Sequence, residues 1–118
     1  MTPEEHFAGH PFAASVFAWA RDLLEGLGPC EVRATRSQVA FRRRRGFAYV
    51  WMPGRYLAHP AAEVVLSISL PRHDSSPRFK EVVHPTSHQW LHHLEVHDLD
   101  ELDGEVADWL GESYDAAG

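Results

Sequence analysis

The chain has 118 residues, 44% of them hydrophobic, with four Trp and a formal net charge of −6. That length predicts one domain with a core of its own, and so apolar a composition excludes a disordered chain. The net charge argues against wholesale affinity for nucleic acid or an anionic membrane, and the lone cysteine, Cys30, rules out an internal disulfide.

The acidic start, Met1 to Glu5, lacks the basic and apolar regions of a signal peptide. The expectation is a cytoplasmic protein. Thr2-Pro3-Glu4-Glu5 fits a capping box with Pro at the first helical position, which predicts a short turn ending at Gly9. A main helix follows from about Pro11 to Glu25, with Phe12, Val16, Ala20, Leu23 and Leu24 as its apolar stripe. Gly26, Gly28 and Pro29 stop it. Alternation then predicts strands at Cys30–Thr35, Gln38–Arg42, Phe47–Met52 and Val64–Leu70. The apolar run Val64–Leu70 is too short to span a bilayer. Arg43 to Gly46 reads as a tight hairpin, and Pro71 to Pro85 as a loop with Phe79, Val82 and Val83 tucked in. A fifth strand spans about His88–His97, and a last helix capped by Asp98 or Asp100 runs to about Asp115, with Leu102, Val106, Trp109, Leu110 and Tyr114 inside. The expected architecture is a single α+β domain over residues 1–118, two-layered, with a five-stranded, mostly antiparallel sheet between two helices in chain order and both helices on one face.

Charge is segregated along this plan. Ten of the eleven Lys and Arg lie between Arg33 and Lys80, which gives that stretch +8. Nine acids and no Lys or Arg lie between Glu95 and Asp115. Such a split means either internal pairing or two differently charged working faces. The sharpest feature is Arg42-Arg43-Arg44-Arg45, with Arg33 and Arg36 nearby. Guanidinium forks match phosphate and carboxylate oxygens, and the flanking Phe41, Phe47 and Tyr49 make the hairpin a basic ribbon with aromatics, suited to an anionic ligand, a polyanion or a nucleic-acid backbone. The competing readings are a solvated hairpin tip that blocks edge pairing, or an internal partner for the acidic last helix.

His88, His92, His93 and His97 invite a metal reading, but they fall on a strand. There adjacent His92 and His93 point to opposite faces, and residues four apart lie roughly 13 Å from one another, too far for one tetrahedral ion. No metal site and no cofactor is assigned. The acids around Glu95, Asp98 and Asp100 lack EF-hand spacing and read as a solvated face. Cys30 reads as a structural thiol. Nucleophile elbow, P-loop, dinucleotide fingerprint and His-Glu-x-x-His are all absent.

His6-Phe7-Ala8-Gly9, Gly28-Pro29, Thr35 to Phe41, Phe47-Ala48, Ser76-Pro77-Arg78-Phe79, His92-His93 and Trp109-Leu110 with Tyr114 carry a resemblance over nearly the whole chain. On these residues it resembles the bacterial domain of unknown function fifty-six fifty-five. Its topology is also similar to small YdhG/YjbR/frataxin-like domains, although the acids here lie on the last helix, so iron binding is not carried over. The resemblance supplies no activity, but it marks Thr35, Arg36, Ser37, Phe41, Arg78, Phe79 and His92 as places to look. The family pattern has a basic residue after its Thr, usually Lys; Arg36 stands there. Three readings remain open. The first is a non-enzymatic module that meets an anionic partner through Arg42 to Arg45. The second is an enzyme or ligand-binding protein with a pocket at Arg36, Ser37, Arg78 and His92. The third is a homodimeric scaffold using a free edge strand with Tyr56 and Trp90.

Overall fold

The computed structural model describes all 118 residues. Helix α1 (Pro3–His6) begins with the expected capping box, Thr2 and Glu5 each bonding the other's backbone N–H. Helix α2 (Pro11–Leu27) runs through Gly26 and ends at Gly28. Its buried residues are Ala13, Val16, Phe17, Ala20 and Leu24, so the stripe is rotated from the expected one: Phe17 enters the core while Phe12 and Leu23 flank it.

Six strands follow, β1 (Glu31–Ala34), β2 (Val39–Arg42), β3 (Gly46–Trp51), β4 (Val64–Leu70), β5 (Glu81–Thr86) and β6 (Gln89–Val96). They form one sheet in the order β1-β2-β3-β4-β6-β5, with every neighbouring pair antiparallel. The expected five strands are therefore corrected to six, and the two-helix, two-layer plan to one with three α-helices. Strand β5 lies where a loop was expected. It is an edge strand with a register shift between Val83 and Thr86 around Pro85, and only a strand that pairs on one side tolerates proline there.

Helix α3 (Gly104–Ala116) is capped by Asp103, whose carboxylate accepts from Val106 N–H, rather than by Asp98 or Asp100. Asp98 instead caps a separate 3₁₀ turn, Leu99–Glu101. The expected inner stripe of α3 is buried in full.

One core joins α2 and α3 to alternate strand residues: Val39 and Phe41, Ala48 and Val50, Leu66 and Ile68, Leu94 and Val96. Phe17 stacks on Phe41 with ring centroids 5.5 Å apart. Ala40 and Val65 are buried too, but outside this core, on the opposite side of the sheet. Phe47 breaks the alternation. Phe41 pairs with Ala48 and Arg42 with Gly46, so Phe47 is the extra residue of a bulge. Its ring joins the core edge-on to Tyr114, and its carbonyl accepts from the buried Ser113 hydroxyl at 2.7 Å. Tyr49 and Trp51 remain on the other face.

Candidate binding surface

The fold first resolves the charge segregation. Arg72 grips Glu112 with both arms, at 2.8 and 2.9 Å, and also reaches Asp74 at 3.0 Å. Arg78 bonds Asp103, Glu105 and the Glu101 carbonyl, with its guanidinium 5.7 Å from the Trp109 ring centroid. Lys80 meets Glu95 at 2.9 Å. The arginine hairpin also turns inward, toward carbonyls rather than carboxylates. Arg43 donates to the Tyr114 carbonyl at 2.9 Å and lies 4.0 Å over that residue's ring, Arg45 donates to the Ala116 carbonyl, and Arg44 N–H donates to the Ala117 carbonyl. The end of a helix leaves its last carbonyls without intrahelical partners and carries partial negative charge, which cations complement. Hydrogen-bonded carboxylates hold Arg72 and Arg78 above the ordinary guanidinium range, and the Arg78 contact holds Asp103 below the usual carboxylate range. Phe41 and Phe47 are core residues, so of the three aromatics beside the hairpin only Tyr49 faces outward.

Three arginines of the basic stretch are left over. Arg36, Arg42 and Arg44 have guanidinium groups that make no hydrogen bond or ion pair within the chain. Arg36 and Ser37 occupy the β1–β2 turn, where their carbonyls accept from Arg55 and Tyr56 at 2.8 and 3.1 Å. Thr35 and Ser37 share a hydroxyl contact of 3.1 Å.

His92 and Arg78 lie elsewhere. His92 is wholly buried on the helix side, against Phe79 at 4.7 Å between ring centroids. Its Nε2 accepts from Asp74 N–H at 3.0 Å, while its Nδ1 lies 2.9 Å from the Trp90 carbonyl and 3.2 Å from that of Ile68. Both ring nitrogens are engaged, and burial keeps the imidazole below its ordinary titration range. It pins the loop after β4 to the sheet and presents no free atom to a ligand. No cavity is lined by members of both pairs, Arg36 with Ser37 and Arg78 with His92.

The opposite face of the sheet carries a row of partners across all six strands: Arg33, Ala40, Tyr49, Ser67, His93 and Glu81. At its centre Trp51 donates its indole N–H to Ser67 Oγ at 2.8 Å, and Ser67 Oγ lies 2.6 Å from His93 Nδ1. Indole nitrogen only donates. Ser67 Oγ, with a second lone pair and its own hydrogen, can serve His93 Nδ1 as acceptor or donor, and the other ring nitrogen, Nε2, lies 3.9 Å from Glu81. Burial lowers the His93 pKa against the opposing pull of Glu81, which favours the neutral imidazole. The Trp51 and His93 rings meet edge to face at 5.8 Å.

This Ser–His pair is not built as a nucleophile. Ser67 is 1% exposed and its oxygen already accepts from Trp51. Strand β4 pairs on both sides, so its backbone N–H groups are committed to the ladder and offer no oxyanion site. The pair does fix the wall between two cavities. One, of about 490 Å³, has Trp51, Leu91 and Pro85 as apolar lining and Gln38, Tyr49 and Gln89 as polar lining. The other, of about 250 Å³, lies toward Leu57, Val65 and the Lys80–Glu95 pair.

Sequence reasoning missed this surface. Its signal is a set of strands whose non-core positions hold Tyr49 and Trp51, Ser67 and Ser69, and Leu91 and His93 in place of simple solvated residues. No helix is long and apolar enough to cross a membrane, and no group of three or more His, Cys, Asp or Glu side chains is placed to hold a metal ion. No curated protein and no solved structure matches the chain significantly. A family model does match, over residues 4–117, and the chain therefore belongs to the family described as Domain of unknown function (DUF5655).

Proposed function

We propose that the domain is a non-enzymatic binding module whose working surface is the core-distal face of the sheet with its arginine flank, and that its partner is anionic. The observation that carries this reading is the division of the arginines. Arg43, Arg45, Arg72 and Arg78 are engaged by α3 or by the turn that precedes it, whereas the guanidinium groups of Arg36, Arg42 and Arg44 make no hydrogen bond in the fold. Arg42 follows Ala40 on β2, beside Tyr49, so a free cation borders the aromatic row. The basic hairpin expected from the sequence is thus narrowed to Arg42 and Arg44.

Heparin binding by the purified protein tests it. Affinity is expected to fall steeply as salt rises, because neutralised anions release counterions. The Arg42→Glu/Arg44→Glu pair is expected to abolish binding without changing the melting temperature by more than a few degrees. Unchanged binding by that pair refutes the reading. The same sheet supports a second reading, self-association, because β1 and β5 are free edge strands. Sedimentation equilibrium of the unliganded protein decides that point.

A further inference from the structure

We propose that this face takes a nucleotide, its base in the cavity against Trp51 and its phosphate toward Arg42. The inference rests on the anion-binding reading above and names the ligand's second half. Three features of the cavity lead to it.

The first is a rigid aromatic wall. The Trp51 indole is tethered to Ser67 and braced edge-on by His93, so stacking on it orders no loose side chain. Every base offers a π-face to such a ring.

The second is the set of unspent polar groups around that wall. The Gln38 and Gln89 amides and the Tyr49 hydroxyl line the cavity and make no hydrogen bond inside the protein. Each amide offers both a donor and an acceptor, as the edge of a base requires. His93 adds its Nε2, which lies 3.9 Å from Glu81.

The third is polarity across the sheet. Arg33 and Glu95 are neutralised by Glu31 and Lys80, which leaves Glu81 on the β5 edge and Arg42 on β2 as the uncompensated charges, so a phosphate is repelled from one flank and drawn to the other. Burial raises the pKa of the Tyr49 hydroxyl, and the nearby charges of Arg42 and Arg45 oppose that shift without overcoming it.

The base and phosphate could belong to a free mononucleotide or to a single strand. The test measures the full chain's affinity for a short oligouridylate and for an abasic oligomer of equal length and phosphate count. The four nucleoside monophosphates are then titrated while the Trp51 indole resonance is followed by NMR. The oligouridylate is expected to bind at least about fivefold tighter than the abasic strand. Trp51→Ala is expected to erase that difference and leave the abasic affinity in place. Where Trp51→Ala fails to fold, Gln38→Ala/Gln89→Ala carries the test and is expected to narrow the same difference. A shift of the Trp51 resonance with monophosphates identifies a free nucleotide, and a shift with the oligomer alone identifies a strand. Equal binding of both strands, still dependent on Arg42 and Arg44, overturns the nucleotide inference and leaves the anion reading standing. No binding to either strand or to heparin overturns both. A base-dependent preference that survives every variant overturns the placement at Trp51.

Discussion

Four consecutive arginines invite one explanation, but the structure gives them different surroundings, and their removal one at a time should show it. Arg43 donates to the Tyr114 carbonyl at 2.9 Å and stacks 4.0 Å over the same residue's ring. A cation–π contact of this kind is worth about 0.5–1 kcal/mol, and a cation at a helix C-terminus another 0.3–1 kcal/mol or so. Arg43→Ala is therefore expected to cost about 1–2 kcal/mol. Arg45 keeps only an exposed hydrogen bond to the Ala116 carbonyl, worth roughly 0.5 kcal/mol. The Arg44 side chain has no partner, and its bond to Ala117 comes from the backbone N–H, which alanine retains, so Arg44→Ala should stay within about 0.5 kcal/mol of wild type. Urea titration followed by tryptophan fluorescence resolves these differences. At this chain length a loss of 1 kcal/mol lowers the melting temperature by about 3–6 °C, which gives calorimetry a second reading of the same ranking. Equal losses from Arg43, Arg44 and Arg45, or a largest loss at Arg44, would refute the capping argument.

The remaining predictions concern the core, a glycine and pH. Phe47→Ala is expected to cost about 3–4 kcal/mol and Tyr49→Ala less than half of that in the same titration, because the bulge sends only Phe47 into the core. Gly28 has φ +154°, and a Cβ there would run into the Tyr114 hydroxyl. Gly28→Ala is expected to cost about 2 kcal/mol, with part of the loss recovered in the Tyr114→Phe background; equal losses in the two backgrounds would remove the steric explanation. Burial lowers the pKa of His6, His92 and His93, with Arg55 adding to the effect at His6. The unfolded chain, titrating near about 6.5, then takes up protons before the folded one does. The contribution of these groups is present above that pH and lost as pH falls through the lower folded values. The urea midpoint should drop between about pH 7.5 and 5.5, and less so in His93→Gln, whereas a flat profile would contradict the buried neutral assignment.

The helices and five of the six strands were legible because their patterns are local. Capping residues, a periodic stripe and alternation all act within one element, and Val106, Trp109, Leu110 and Tyr114 of α3 are buried as expected, with Ser113 in addition. Strand β5 was not legible, since an edge strand needs little apolar surface and this one contains Pro85. Phe47 misled for a different reason: alternation groups it with Tyr49 and Trp51, and only the pairing of Arg42 with Gly46 reveals the extra residue. The fate of the arginine run depends on helix carbonyls, which every residue possesses and no sequence pattern marks. The Trp51–Ser67–His93 chain was hidden in the same way. Its members come from three strands, and strand order alone brings them together. His92, expected in a polar pocket with Arg36, Ser37 and Arg78, instead has hydrogen-bond partners that make it a structural pin.

Pairing between the basic middle and the acidic end has a consequence for how the chain is made. Translation releases Arg43, Arg72 and Arg78 before any residue of α3 exists. For that interval Arg72 lacks Glu112, Arg78 lacks Glu105, and Arg43 lacks the helix carbonyl that it caps. Phe47 and Ile68 likewise wait for Tyr114 and Leu110 to close the core over them. Docking of α3 is therefore the step that gives these arginines their last partners and seals the interior, so a chain ending before Gly104 would hold an open-faced sheet with Arg43 and Arg45 unsatisfied.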